Sequence, residues 1–181
     1  SLKPDLAGFT ATTSYHDVAV QGAQAIKRAM PQVPVCIGGP HFNAHPDFLL
    51  LYPDFDFGVR GEGEYTLRDV VAALDKGEEI AQIPGVVTAR DGEVHFAPVR
   101  PPVEDLDALP FPARHLVDLA VYRPLPNDEK RLPKSSIIGS RGCPFSCIFC
   151  DKATFGKSYR ARSPEKVVQE MHILARDFGV R

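Results

Sequence analysis

Val33-Pro34-Val35-Cys36-Ile37-Gly38-Gly39-Pro40 is the stretch on which the fold turns. Residues 33–37 are apolar without the alternation of a half-solvated strand, so they predict a strand covered on both faces. The Gly-Gly-Pro that follows closes it and permits a tight loop. Upstream, Pro31 and Pro34 stop a helix that Asp17 can cap and that carries Val18, Ala19, Gly22, Ala25, Ile26 and Ala29 on one face. Before that helix, residues 5–9 form a short, mostly apolar run leading into a Thr/Ser cluster at 10–14. Downstream, Pro46 opens a short helix through Leu51, and residues 55–59 read as a third strand. Gly61-Glu62-Gly63-Glu64 then leads into a helix over 65–74 with Leu67, Val70, Val71 and Leu74 facing inward.

Strands separated by helices of this length predict parallel pairing with right-handed crossovers. The expected fold is α/β: a doubly wound parallel sheet of flavodoxin-like type over residues 1–97. Residues 84–90 and 93–97, joined at Asp91-Gly92, predict a hairpin at its edge. Residues 98–134 are an expected linker: eight of the 17 prolines fall there, with a short helix expected near 115–119. A second unit is expected over 135–181, with a strand at 136–139, a cysteine loop and a helix. Ser163 caps that helix, Pro164 suits its first position and Gly179 ends it. Val167, Val168, Met171, Leu174 and Phe178 form its apolar stripe, which one strand cannot cover, so further chain is expected beyond Arg181.

The hydrophobic fraction of 44% and charged fraction of 24% in 181 residues are those of a soluble globular protein. A formal net charge of -2 without basic runs argues against a nucleic-acid surface. Neither a membrane span nor a secretory signal is evident, and a cytoplasmic location is expected. Three of the four cysteines lie within the eight residues from Cys143 to Cys150. A disulfide framework would spread them, so crowding points to metal chemistry in a reducing compartment.

The cysteine loop reads Ser140-Arg141-Gly142-Cys143-Pro144-Phe145-Ser146-Cys147-Ile148-Phe149-Cys150. Closely spaced thiolates can wrap one iron–sulfur cube, and three of them leave one iron without a protein ligand, as a catalytic centre requires. The competing reading is a zinc site, which normally wants four ligands in paired arrangements. No second pair is present. Cys36 could serve as a fourth ligand, but its place in an apolar strand makes it an expected inert core thiol. In open α/β sheets ligands bind at the carboxyl edge of the strands. That edge would present Thr10, Thr12 and Ser14, then Gly38, Gly39 and His41, then Gly61, Glu62, Gly63 and Glu64. Glycines there let the backbone approach a bulky group, although such glycines also simply make turns. His41 and His45 are expected to be solvated loop residues. Arg160 and Arg162 could meet a carboxylate, but residues leading a helix are more often solvated, and His16 and His172 show no partner spacing.

The C-x3-C-x2-C spacing, with the aromatic Phe149 before the last cysteine, resembles the radical S-adenosylmethionine superfamily. Ile37-Gly38-Gly39-Pro40-His41 and Val59-Arg60-Gly61-Glu62-Gly63-Glu64 resemble the cobalamin-binding domain that precedes the radical domain in one large class. This resemblance implies that Cys143, Cys147 and Cys150 ligate a 4Fe–4S cluster whose unique iron holds S-adenosylmethionine, with Phe149 near the adenine. Reductive cleavage of the sulfonium would then make a radical that abstracts hydrogen from substrate. It also implies cobalamin with its nucleotide tail against the 10–14 and Gly38-Gly39 loops, the corrin near 61–64, and a first βα unit of a partial barrel at 135–181. The D-x-H-x-x-G motif that supplies a lower cobalt ligand in many cobalamin domains does not occur. The implied activity is methyl transfer, or related cyclisation or rearrangement, on an unactivated small molecule. An electron donor such as flavodoxin or ferredoxin is the implied partner, and this chain by itself is expected to be inert. The alternatives are a non-catalytic α/β binding module with a zinc knuckle, or a methylthiotransferase-like radical enzyme without cobalamin. The latter needs further cluster cysteines, and Cys36 alone is available.

Overall fold

The computed structural model describes residues 3–122 and 132–180. The part of the expected linker at 123–131 lies outside them. The chain divides into two compact units, Ser1–Pro102 with Phe145–Gly156 and Val103–Pro144 with Lys157–Arg181.

The first unit is built on a five-stranded sheet. Its strands β1 (Ala7–Thr10), β2 (Val35–Gly38), β3 (Phe57–Val59), β4 (Val86–Arg90) and β5 (Glu93–Phe96) stand side by side in chain order. β1, β2 and β3 are parallel, with Thr10 opposite Gly38 and Ile37 opposite Gly58. β4 and β5 run antiparallel as the predicted hairpin, turning at Asp91-Gly92. Helices cover both faces, as expected of the α/β reading. Val35 and Ile37 pack with Ala19, Val20 and Ala23 of α1 (His16–Ala29), Phe42 of α2 (Pro40–Ala44), and Phe48 and Leu49 of α3 (Phe48–Leu51). Cys36, Phe57 and Val59 pack on the other face with Val70 of α4 (Gly63–Lys76). β2 is thus buried on both sides, which is why its sequence lacks alternation.

Several local expectations shift. α1 starts one residue before Asp17, which therefore stands in the first turn and pairs with His16 at 3.1 Å instead of capping. Its inner face is Ala19, Val20 and Ala23, while Val18, Ala25 and Ala29 are exposed. Alanine carries too little area to decide which of two adjacent stripes turns inward. On α4, Val71 is exposed and Thr66, Val70 and Ala73 are buried. The helix expected from Pro46 is preceded by a second short one, α2, which carries Phe42 against β3. A Cβ on Gly58 would stand 2.0 Å from the Phe42 ring, so the missing side chain is what admits the ring.

Among its described residues the second unit holds 3-10 turns at Leu106–Ala108, Arg114–Leu116 and Leu119–Val121, then a two-residue ladder and a helix. The ladder pairs β6 (Ser140–Arg141) antiparallel with β7 (Arg160–Ala161). The strand expected at 136–139 therefore begins later, at Ser140. α5 (Pro164–Phe178) is capped as expected: Ser163 Oγ accepts from Lys166 N at 3.2 Å and Gly179 takes a left-handed conformation. Its stripe differs from the sequence reading, because Val168 and Met171 are exposed and Glu170 is buried beside Leu174. The Glu170 carboxylate is held between Arg114, at 2.7 Å, and Arg162. A buried carboxylate is tolerable only when such partners meet it. Arg162 also lies over the Phe111 ring, so it is occupied inside this unit and is neither solvated nor offered to a ligand.

Candidate functional site

The site begins where β1, β2 and β3 end. Register brings Thr10 beside Gly38, and His41 N donates to Ala11 O at 3.0 Å, so the first two candidate loops interlock. Gly39 has φ +88°, and a Cβ there would lie 2.3 Å from Thr10 Oγ1. Both facts require glycine at this position. Gly61 also has positive φ, at +80°, but nothing lies within 4 Å of its absent Cβ. The open space there is what a bulky ligand resting on the backbone needs. Gly63 and Glu64, expected in a loop, form the first turn of α4, and a Cβ on Gly63 would make only ordinary contact with Val59, at 3.5 Å. Thr10, Thr12, Ser14 and Glu64 are exposed along this edge, and Glu62 is buried.

His41 departs from its expectation. It is buried, with its Nδ1 3.1 Å from Thr13 Oγ1 and its ring stacked on His16 at 4.7 Å between centroids. His16, expected to lack a partner, donates from Nδ1 to Thr13 O at 2.8 Å. His45 is exposed and lies 5.3 Å from His41, ring to ring. Burial, then the neighbouring His16 and His45, hold the His41 pKa below its usual value. A neutral imidazole can accept the Thr13 hydroxyl, so His41 orders the 10–14 loop.

The residue that sequence reasoning missed is Asn43, on α2 and buried. Its Nδ2 donates to Gly39 O at 3.0 Å and to Thr154 Oγ1 at 3.1 Å, and its Oδ1 accepts from Gly61 N at 2.6 Å. Its only sequence signal is an amide two residues past His41, and amides are ordinary in loops. Beside Gly61 lies a cleft of about 240 Å³ walled by Val87, Phe96, Arg100 and Phe155. Arg100 is fixed there by Asp69 at 2.6 Å and by Pro84 O at 3.1 Å.

Cys143, Cys147 and Cys150 are free and exposed, as are Phe149 and its neighbours Phe145 and Ile148. The division between the units falls within this loop, after Pro144. Among the described residues no three His, Cys, Asp or Glu side chains are gathered for a metal. The donor set itself, three thiols with no fourth beside them in sequence, suits a cluster with one open iron. Cys36 is buried, and burial raises its thiol pKa to about 11, as an inert core thiol should behave.

Residues 1–71 match the family model described as the B12 binding domain. An uncharacterized methyltransferase of Pyrococcus horikoshii is 37% identical over 180 residues, which are 98% of this chain and 38% of that protein. The anaerobic magnesium-protoporphyrin IX monomethyl ester cyclase of Rubrivivax gelatinosus is 36% identical over 99% of this chain and 33% of its own. The radical S-adenosylmethionine methyltransferase TsrM of Kitasatospora setae, solved with tryptophan and a S-adenosylmethionine analogue, superposes with a TM-score of 0.69. It is 25% identical over 97% of this chain and 35% of that one, and it has also been solved with cobalamin and a [4Fe-4S] cluster. Over nearly its whole length the chain is thus similar to part of methyltransferases and cyclases of the cobalamin-dependent radical S-adenosylmethionine kind. It spans about a third of the length of the curated relatives named here. No helix among the described residues is long and apolar enough to cross a membrane.

Proposed function

We propose that the glycine-lined edge seats cobalamin and that Cys143, Cys147 and Cys150 hold a 4Fe–4S cluster with S-adenosylmethionine at its open iron. The whole protein is then a radical enzyme that transfers a methyl group to, or cyclises, a small molecule at an unactivated carbon. The observation that carries this reading is one chain with both an open backbone edge at Gly61 and three free, exposed thiols at C-x3-C-x2-C spacing. When bound, the cluster supplies an electron to the sulfonium and cobalamin supplies a carrier for methyl groups.

The chain's own residues have narrower tasks. Gly61 leaves the backbone bare for the cofactor, Gly39 lets the loop after Gly38 close on Thr10, and Thr10, Thr12 and Ser14 offer hydroxyls to the cofactor's polar tail. Glu62, Gly63 and Glu64, at the start of α4, would lie near the corrin, and His41 keeps the 10–14 loop in place. Phe149 would pack near the adenine. Flavodoxin or ferredoxin is the class of electron donor, and a reducing cytoplasm suits three free thiols. The zinc knuckle lacks support, because Cys36 is sealed in the core and cannot complete a fourth ligand.

Anaerobic reconstitution with iron and sulfide tests this reading. The expected result is about four irons per chain, with the characteristic spectrum lost in C147S. Stoichiometric zinc without iron uptake would falsify it. Titration with cyanocobalamin tests the glycine edge, where G61V is expected to weaken binding without altering iron content.

A further inference from the structure

Asn43 uses its whole amide. Both donors and the acceptor are engaged, and each goes to a different loop: Gly39, Thr154 and Gly61. The ladder does not hold these loops together, since the β2–β3 pairing ends at Ile37 and Gly58. One buried side chain therefore sets the spacing between the two glycine loops. It also joins them to a segment 111 residues away.

That segment follows directly on the cysteines and is folded by short local hydrogen bonds. Ala153 N donates to Asp151 Oδ1 at 2.8 Å, and Gly156 N donates to Lys152 O at 3.0 Å. Cys150 N donates to Cys147 O at 3.2 Å. Thr154 thus lies within a run of turns that begins at Cys147 and ends at Gly156. Moving the Gly61 loop moves the amide acceptor, and moving the amide moves Thr154.

We propose that Asn43 is a positioning residue that couples the glycine edge to the Cys147–Cys150 turn, so that a ligand seated on the edge changes the reactivity of those two thiols. This rests on the cobalamin reading of the edge. The alkylation rates of Cys147 and Cys150 are followed in the metal-free chain by mass spectrometry, with and without cyanocobalamin, and Cys143 serves as the internal comparison. Cyanocobalamin is expected to shift the two rates by about fivefold, the worth of one ordinary hydrogen bond. T154V should lose the shift while its cyanocobalamin affinity stays within about threefold of the original, and T154S should restore it. A wild-type chain that binds cyanocobalamin with unchanged thiol rates would overturn the coupling, and so would a T154V variant that responds like wild type.

If cyanocobalamin does not bind at all, the reading of the edge fails separately. The tie is then judged by hydrogen exchange. T154V removes the hydroxyl that accepts from Asn43 and leaves the Gly39 and Gly61 bonds in place, so it should speed exchange across 151–156 and spare Gly61. Unchanged exchange across 151–156 would sink the proposal.

Discussion

At the scale of single residues, His41 is the group whose ionisation the fold resists. Burial, His16 and His45 all disfavour its charged form. Its folded pKa therefore lies below the usual 6.5, and the unfolded chain binds the proton first as pH falls. Stability is complete above 6.5, declines as pH falls through that value towards the folded pKa, and is lowest below both. Chemical denaturation from pH 8 to pH 5 should show this slope, and H41Q should flatten it while costing some stability at pH 8. An equal slope in H41Q would assign the pH dependence to other groups.

Among the elements, the contact between α2 and β3 sets how closely the Gly39 loop can approach the sheet. Phe42 is fully buried, and its ring occupies the space where a side chain on residue 58 would stand. Overpacking of this kind typically costs about 1–3 kcal/mol. G58A should lower the unfolding free energy by about that amount in urea titration, because the ring cannot shift without dragging α2. The F42L/G58A double variant should recover part of the loss, since a smaller side chain makes room. In the second unit α5 is organised differently, around a charge: Glu170 sits where a hydrophobic residue would be expected, met by Arg114 and Arg162. Specific pairing there replaces the larger apolar area that a longer stripe would have provided.

For the molecule as a whole, the distribution of thiols separates structure from chemistry. Cys36 is enclosed and its thiol pKa is raised to about 11, whereas the other three are exposed on one loop. The metal-free native chain should therefore take up three iodoacetamide labels, with the fourth appearing only in denaturant. Labelling of Cys36 under native conditions would show that the sheet opens. Three labels also leave the cysteine loop as the only part of the described chain offering thiols to a metal.

By itself the amino-acid order determined the α/β class, the buried strand around Ile37, the hairpin at Asp91-Gly92, the cap at Ser163 and the three loop thiols. Each of these follows from local rules: a run without alternation, a turn dipeptide, a hydroxyl before proline, and covalent spacing. It also marked the glycine edge, because strand ends and glycines are visible along a chain. Only the tertiary structure decided which stripe of α1 or α5 faces inward, since Ala25 against Ala23, or Met171 against Glu170, depends on partners distant in sequence. Asn43 stayed hidden for the same reason. A side chain that bonds across 18 and 111 residues leaves no periodic trace, and its role exists only once the loops have been brought together.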